Sequence, residues 1–167
     1  MQQIMESEDM SVILLTDEAR KRALSVVCDT VISRQLLLRL QGNRQESRIM
    51  LPEALLQLLP SSYEMLIAGV FDGQYQVILM DTNNGNSVRI RIGDAVLLSI
   101  ISHVPLYIEE RLMARQSGPF DEKARGVQIP INALDKTRLQ IALDNAVEEE
   151  NYELASQLRD EINRRSK

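Results

Sequence analysis

The 167-residue sequence predicts an α+β fold: a mainly antiparallel sheet with packed helices, then an antiparallel two-helix hairpin. Three observations predict it. Two turn signals, Phe71-Asp72-Gly73 and Asn83-Asn84-Gly85-Asn86, separate three short apolar segments, as in a β-meander. Several other segments repeat their apolar residues at the 3.6-residue helical period. After Ser117-Gly118-Pro119 the pattern changes to two apolar stripes divided by Glu149-Glu150-Asn151. The expected division is a body over residues 1–116, a linker over 117–133 and a hairpin over 134–167.

Ser11–Thr16 and Ala23–Cys28 are apolar runs flanking the charged Asp17–Arg22, which predicts a first β-hairpin. A helix over Asp17–Cys28 capped by Thr16 competes with it, but Val26 and Val27 are β-branched and weaken the helix. Asp29 or Thr30 caps a helix from about Val31 to Gln41, ended by Gly42-Asn43. Ser47 can cap a further helix to about Leu59. Pro52 lies inside that segment, so the helix starts irregularly or only at Leu51. Met65–Val70, Gln74–Met80 and Ser87–Ile92 are the three strands of the meander. Asp94–Ser102 reads as a buried helix broken before Pro105, Leu106–Ile108 as a short strand and Glu109–Gln116 as a helix. In the hairpin, Leu139, Leu143, Ala146 and Val147 form one stripe, and Tyr152, Ala155, Leu158 and Ile162 the other. So small a hairpin cannot bury both stripes by itself, so it is expected to dock on the body, on its own copy or on another protein.

Composition narrows the function. The hydrophobic content of 44% is that of a globular chain, and aromatics at 4% leave a core of Leu, Ile, Val and Met. No apolar run approaches the length of a membrane span, and Met1–Met10 lacks the order of a signal peptide. One cysteine, Cys28, excludes an intrachain disulfide framework and reads as a small buried hydrophobe. A cytoplasmic protein is the expectation. The net charge of −5 argues against coating nucleic acid through bulk charge but leaves room for a local basic site. One histidine and one cysteine make no zinc site of ordinary composition, and no Walker sequence or Ser-His-Asp set is present.

Two resemblances follow from these segments. Leu139–Arg164, with its acidic turn, Tyr152-Glu153, Ala155 and Leu158-Arg159-Asp160-Glu161-Ile162, resembles the UVR motif at the ends of the UvrB and UvrC repair proteins. The resemblance implies a helical hairpin that pairs with another protein's hairpin and carries no chemistry. It makes Leu143, Tyr152, Leu158 and Ile162 the expected partner-binding residues, for a protein partner or a homodimer. The body, chiefly Val88–Met113 with Leu14–Thr30 and Arg44–Leu51, resembles the bifunctional nuclease family, small α+β proteins described as DNases and RNases. Arg91, Asp94 and Ala95 keep that family's pattern. Arg89, Ile92 and Gly93 stand at its Asp, Pro and Ser positions, and Arg48-Ile49 replaces its His-Asp pair.

That second resemblance implies phosphodiester hydrolysis with Mg²⁺ or Mn²⁺, which needs carboxylates to hold the cation. Asp94 and Glu110 are the candidate catalytic and metal-binding residues. Asp94 also reads as a helix N-cap, and Glu110 as a solvated acid at a helix start. Arg44, Arg48, Arg89 and Arg91 are the candidate contacts to nucleic acid. Arg89 and Arg91 alternate with Val88, Ile90 and Ile92, so they share one strand face, which also suits a plain solvent-facing surface. His103 reads as a helix C-terminal group. Two functions therefore stand at this point: a metal-dependent nuclease with an interaction hairpin, and a non-catalytic relative that serves as an interaction module.

Overall fold

A computed structural model describes residues 3–6, 11–41, 50–58, 62–121 and 129–166. The body holds two four-stranded sheets. The first contains β1 (Gln3–Glu6), β2 (Ser11–Thr16), β3 (Arg22–Cys28) and β8 (Ser117–Pro119), all antiparallel and in that order. The second contains β4 (Tyr63–Phe71), β5 (Gln74–Asp81), β6 (Ser87–Arg91) and β7 (Leu106–Ile108), in the order β6-β5-β4-β7. Its first three strands form the expected antiparallel meander, while β7 adds parallel to β4.

Local chemistry accounts for the turns. In the first hairpin the Asp17 carboxylate accepts hydrogen bonds from the Lys21 and Arg22 amides at 2.7 and 3.1 Å. That closes a turn through Arg20 at positive φ and resolves the competition between helix and hairpin in favour of the hairpin. Asp72 and Gly73 both take positive φ, as a two-residue type I′ connection demands.

The helices of the body are α1 (Thr30–Leu40), α2 (Leu51–Leu58), α3 (Ile92–Ser102) and α4 (Glu110–Gln116). Asp29 caps α1 by accepting from the Ile32 amide at 2.8 Å. Pro52 sits in the first turn of α2, where its missing N–H costs nothing. Arg39 of α1 grips Glu53 of α2 through Nε at 2.8 Å and a second nitrogen at 2.5 Å. The helix α3 begins two residues before Asp94, contrary to expectation. Its N-cap is Arg91, and Gly93 lets α3 approach α1, since a Cβ there would lie 3.1 Å from Ile32 Cγ2. His103 closes α3 in the left-handed conformation, as a C-terminal group.

Ser117–Pro119 was expected to open a linker and instead forms β8. Arg22 holds it there: Nε donates to Ser117 Oγ at 2.7 Å, and a second nitrogen donates to the Ser117 and Ala114 carbonyls. The strand β1 was not expected either. Ser47 lies outside the described residues; α2 starts at Leu51, one of the two starts expected.

The hairpin is α5 (Lys136–Glu148) and α6 (Tyr152–Arg165), preceded by a 3-10 turn over Ile131–Ala133. The chain reverses through Glu150 at positive φ, with Asn151 N–H bonded to Ala146 O and Glu150 N–H to Val147 O, a Schellman closure. Asn151 then caps α6 at the Leu154 amide.

Two cores result. Ile13, Leu24, Val26, Leu36, Met65, Ile67, Val77, Ala95 and Val96 belong to the body core, Leu139, Ala146, Ala155 and Leu158 to the hairpin core. The segment between them serves both: Ile129 and Ala133 pack on the body, Ile131 and Leu134 on the hairpin. The join is tight. A Cβ on Gly73 would overlap the Leu134 carbonyl, whereas one on Gly85, also at positive φ, would meet nothing within 4 Å. Gly73→Ala is therefore expected to destabilise the protein by about 2 kcal/mol or more. Gly85→Ala should cost only its backbone strain, about 1 kcal/mol. Urea unfolding of both variants checks this, and equal effects would deny the contact.

Candidate functional site

The structure brings three helix starts together at one cleft of about 240 Å³. Asp29 contributes from the start of α1, Arg91 and Asp94 from the start of α3, and Asp135 and Arg138 from the start of α5. Cys28 and Tyr75, both buried, line it from below, and Gly73 forms part of its rim. The hairpin root is thus one wall of the cleft and the body the other.

The charges in the cleft are paired. Arg91 Nε lies 2.8 Å from Asp94 Oδ2, and Arg91 also approaches Asp29 Oδ2 at 3.7 Å. Arg138 is ion-paired with Asp135, which caps α5 by accepting from the Arg138 amide at 2.8 Å. Asp94 does not cap its own helix: it is the third residue of α3, and its carboxylate turns back to the Arg91 guanidinium. Burial pushes the Tyr75 hydroxyl above its ordinary pKa, so it stays protonated, 3.5 Å from Gln116 Oε1.

The sequence-derived candidates are not all gathered there. Glu110 is exposed at the start of α4 and does not line the cleft. Arg89 is exposed on β6, on the same strand face as Arg91. Arg44 and Arg48 lie outside the described residues. Among the described residues no group of three His, Cys, Asp or Glu side chains is placed to share a metal ion. Asp94 is ion-paired with Arg91, and Glu110 is not among the residues that line the cleft. Sequence reasoning did not single out Asp29, Asp135 and Arg138 as neighbours of Arg91. Asp135 caps α5, but nothing local in the sequence marks that this helix start shares a cleft with the start of α3.

Along the hairpin the four partner-binding candidates divide. Leu158 is 1% exposed and fills the interior between α5 and α6, with Leu143 and Ile162 packed partly against it. Tyr152 is 69% exposed at the tip, beside the turn. Val147, not among those candidates, is 52% exposed one turn beyond Leu143 on the same helix edge. Glu148, Glu149, Glu150 and Glu153, all exposed, flank Val147 and Tyr152 along the chain and make the turn acidic.

Residues 136–166 match the family model described as the UvrB/uvrC motif. The matched span covers α5 and α6, well under half of the chain. The comparison with curated proteins finds no match. Among the described residues no helix is long and apolar enough to cross a membrane.

The root of the hairpin is held by a cluster whose charge depends on pH. Arg165 donates to the Leu134 carbonyl at 2.6 Å and the Asn132 carbonyl at 3.1 Å, and contacts Glu161 at 2.8 Å. Glu161, 12% exposed, is held below the ordinary carboxylate range by its hydrogen bond from Arg164, assisted by Arg165 and opposed by burial. A depressed folded pKa stabilises above the unfolded value and is lost as pH falls through the folded one. The hairpin is therefore expected to loosen as pH drops below about 4.3, the ordinary glutamate value. Glu161→Gln should flatten that dependence, read from helical circular dichroism between pH 6 and 3. An identical acid transition in both proteins would remove Glu161 from the account.

Proposed function

We propose that this chain is a protein-interaction module in which the body seats a UVR hairpin and the hairpin tip docks a partner protein. The observation that carries the reading is the tip itself. Val147 and Tyr152 offer apolar surface where α5 turns into α6, and four exposed glutamates lie beside them in the chain. A surface with an apolar centre and a charged rim is the ordinary anatomy of a protein interface. Those glutamates favour a partner with an apolar patch bordered by Lys and Arg. Two copies of this tip repel each other, so the tip favours a different protein over itself. Leu143, half-buried beside Val147, extends the patch, whereas Leu158 and Ile162 act by holding the two helices together.

The nuclease reading rests on the Arg91–Asp94 pair in an open cleft, and on the resemblance of the body to nucleases. It asks Asp94 to hold Mg²⁺ or Mn²⁺ while its carboxylate is committed to Arg91. The interaction module asks for no such rearrangement and is the better-supported reading.

Affinity capture with the full chain from a lysate of the source cells tests the first reading. The Val147→Ser/Tyr152→Ala variant is expected to lose its partner by tenfold or more, with its helical circular dichroism unchanged. Capture should also weaken with added salt, because the rim is charged. Undiminished capture by the double variant would refute the assignment. Binding and cleavage of labelled DNA and RNA at low salt, with and without Mg²⁺ or Mn²⁺, tests the second reading. Under the interaction-module proposal the parent protein cleaves neither. Metal-dependent cleavage that disappears in Asp94→Asn would reinstate the nuclease.

A further inference from the structure

We propose that the outer face of the second sheet, remote in sequence from the hairpin, is an interface with a second copy of this chain. The register of the sheet places Arg89, Ile78, Leu66 and Tyr107 side by side in one row across β6, β5, β4 and β7. Residues opposite one another in a ladder point to the same face. Met65, Ile67 and Val77 on the other face enter the body core, so this row faces outward. Leu66 is 41% exposed and Tyr107 51% exposed, and Met80 in the next row is exposed as well. Ile78, Leu66 and Tyr107 thus form an apolar stripe across β5, β4 and β7, closed by Arg89 on β6. Such a patch with a polar border is a common mark of an interaction surface.

The row is complementary to itself. A two-fold axis parallel to the strands, between β5 and β4, reverses the row in a facing copy. Ile78 then meets Leu66, and Arg89 lands on the ring of Tyr107, a cation–π contact at each end. Glu64 stands on the same face, one strand over from Tyr107 and two residues from Leu66, within diagonal reach of the incoming Arg89. The alternative axis, along the row, would set Arg89 against Arg89. Charge therefore selects one arrangement, with the strands of the two sheets nearly aligned.

Nucleic acid suits the face less well. Arg91, its second cation, is engaged with Asp94 and Asp29, and Glu64 adds a negative charge. Among the described residues Arg89 is then the one cation of the row, which is not the cation cluster that a polyanion requires.

The size of the face sets the affinity. Four strands about 4.8 Å apart and about five residues long cover roughly 300 Å² per copy. That lies well below the interfaces of permanent dimers, so the dimer is reversible and forms in the upper micromolar range, on the order of 100 µM.

Sedimentation equilibrium of the full chain from about 5 to 500 µM reads this directly. The parent protein is expected to pass from monomer to dimer across that range. Leu66→Lys should weaken the dimer tenfold or more. Tyr107→Arg, which opposes arginine to arginine, should do the same. The swap Arg89→Tyr/Tyr107→Arg restores both cation–π contacts and should recover most of the loss. Val147→Ser/Tyr152→Ala, at the hairpin tip, should leave dimerisation unchanged, which separates this interface from the tip interaction. The proposal fails if the parent stays monomeric at the top of the range, or if its dimer ignores Leu66→Lys. It also fails if the swap variant stays as weak as Tyr107→Arg, or if a labelled oligonucleotide at low salt binds in an Arg89-dependent way and displaces self-association.

Discussion

The backbone of Leu134 passes so close to Gly73 that no side chain fits between them. That contact fixes where the hairpin meets the body, and several features depend on it. Asp72-Gly73 must adopt a type I′ turn for the β4–β5 strands to pair, and the same turn is the platform on which the hairpin root rests. Ala133 and Ile129 are drawn into the body core, and Ile131 and Leu134 into the hairpin core. Arg165, almost fully buried, returns from the far end of α6 to hold the Leu134 and Asn132 carbonyls and to face Asp72 at 3.8 Å. A buried guanidinium needs acceptors on all sides, and it finds them only while the root stays seated.

The seat gives the two ends of the hairpin different tasks. Its root closes one side of the cleft that holds Arg91, Asp94 and Asp29. Its tip exposes Val147 and Tyr152 beside Glu148, Glu149, Glu150 and Glu153. Two of the cleft's ion pairs, Arg91–Asp94 and Arg138–Asp135, lie within one helix start each, and Arg91–Asp29 links α3 to α1. Exposed pairs of this kind contribute about 0–1 kcal/mol each, so they position more than they bind.

Much of the architecture was legible in the sequence because its signals are local. The Asp-Gly turn dictates its own geometry, the acidic Asp17 closes the first hairpin, and the stripes of α5 and α6 have the helical period along their whole length. The Leu139–Arg164 stretch pointed to the UVR motif, and the match over residues 136–166 agrees. What escaped the sequence depends on distant partners. Ser117-Gly118-Pro119 has no strand character of its own and pairs with β3 only because Arg22 binds its backbone. The parallel pairing of β7 with β4 follows from the path of α3, which no residue in Leu106–Ile108 announces. The early start of α3 turned on Gly93 meeting Ile32, a contact between two helices. For the same reason Asp94 was legible as an acid near a helix start, but its commitment to Arg91 was not.

The central claim is that the body holds the hairpin in one fixed seat and so presents its tip in one direction. Spin labels on Asn84, at the β5–β6 turn, and on Glu148, beside the tip, in a Cys28→Ala background measure this by pulsed electron resonance. A seated hairpin gives a single narrow distance distribution. A broad distribution, as from a hairpin swinging on a free linker, would contradict the account.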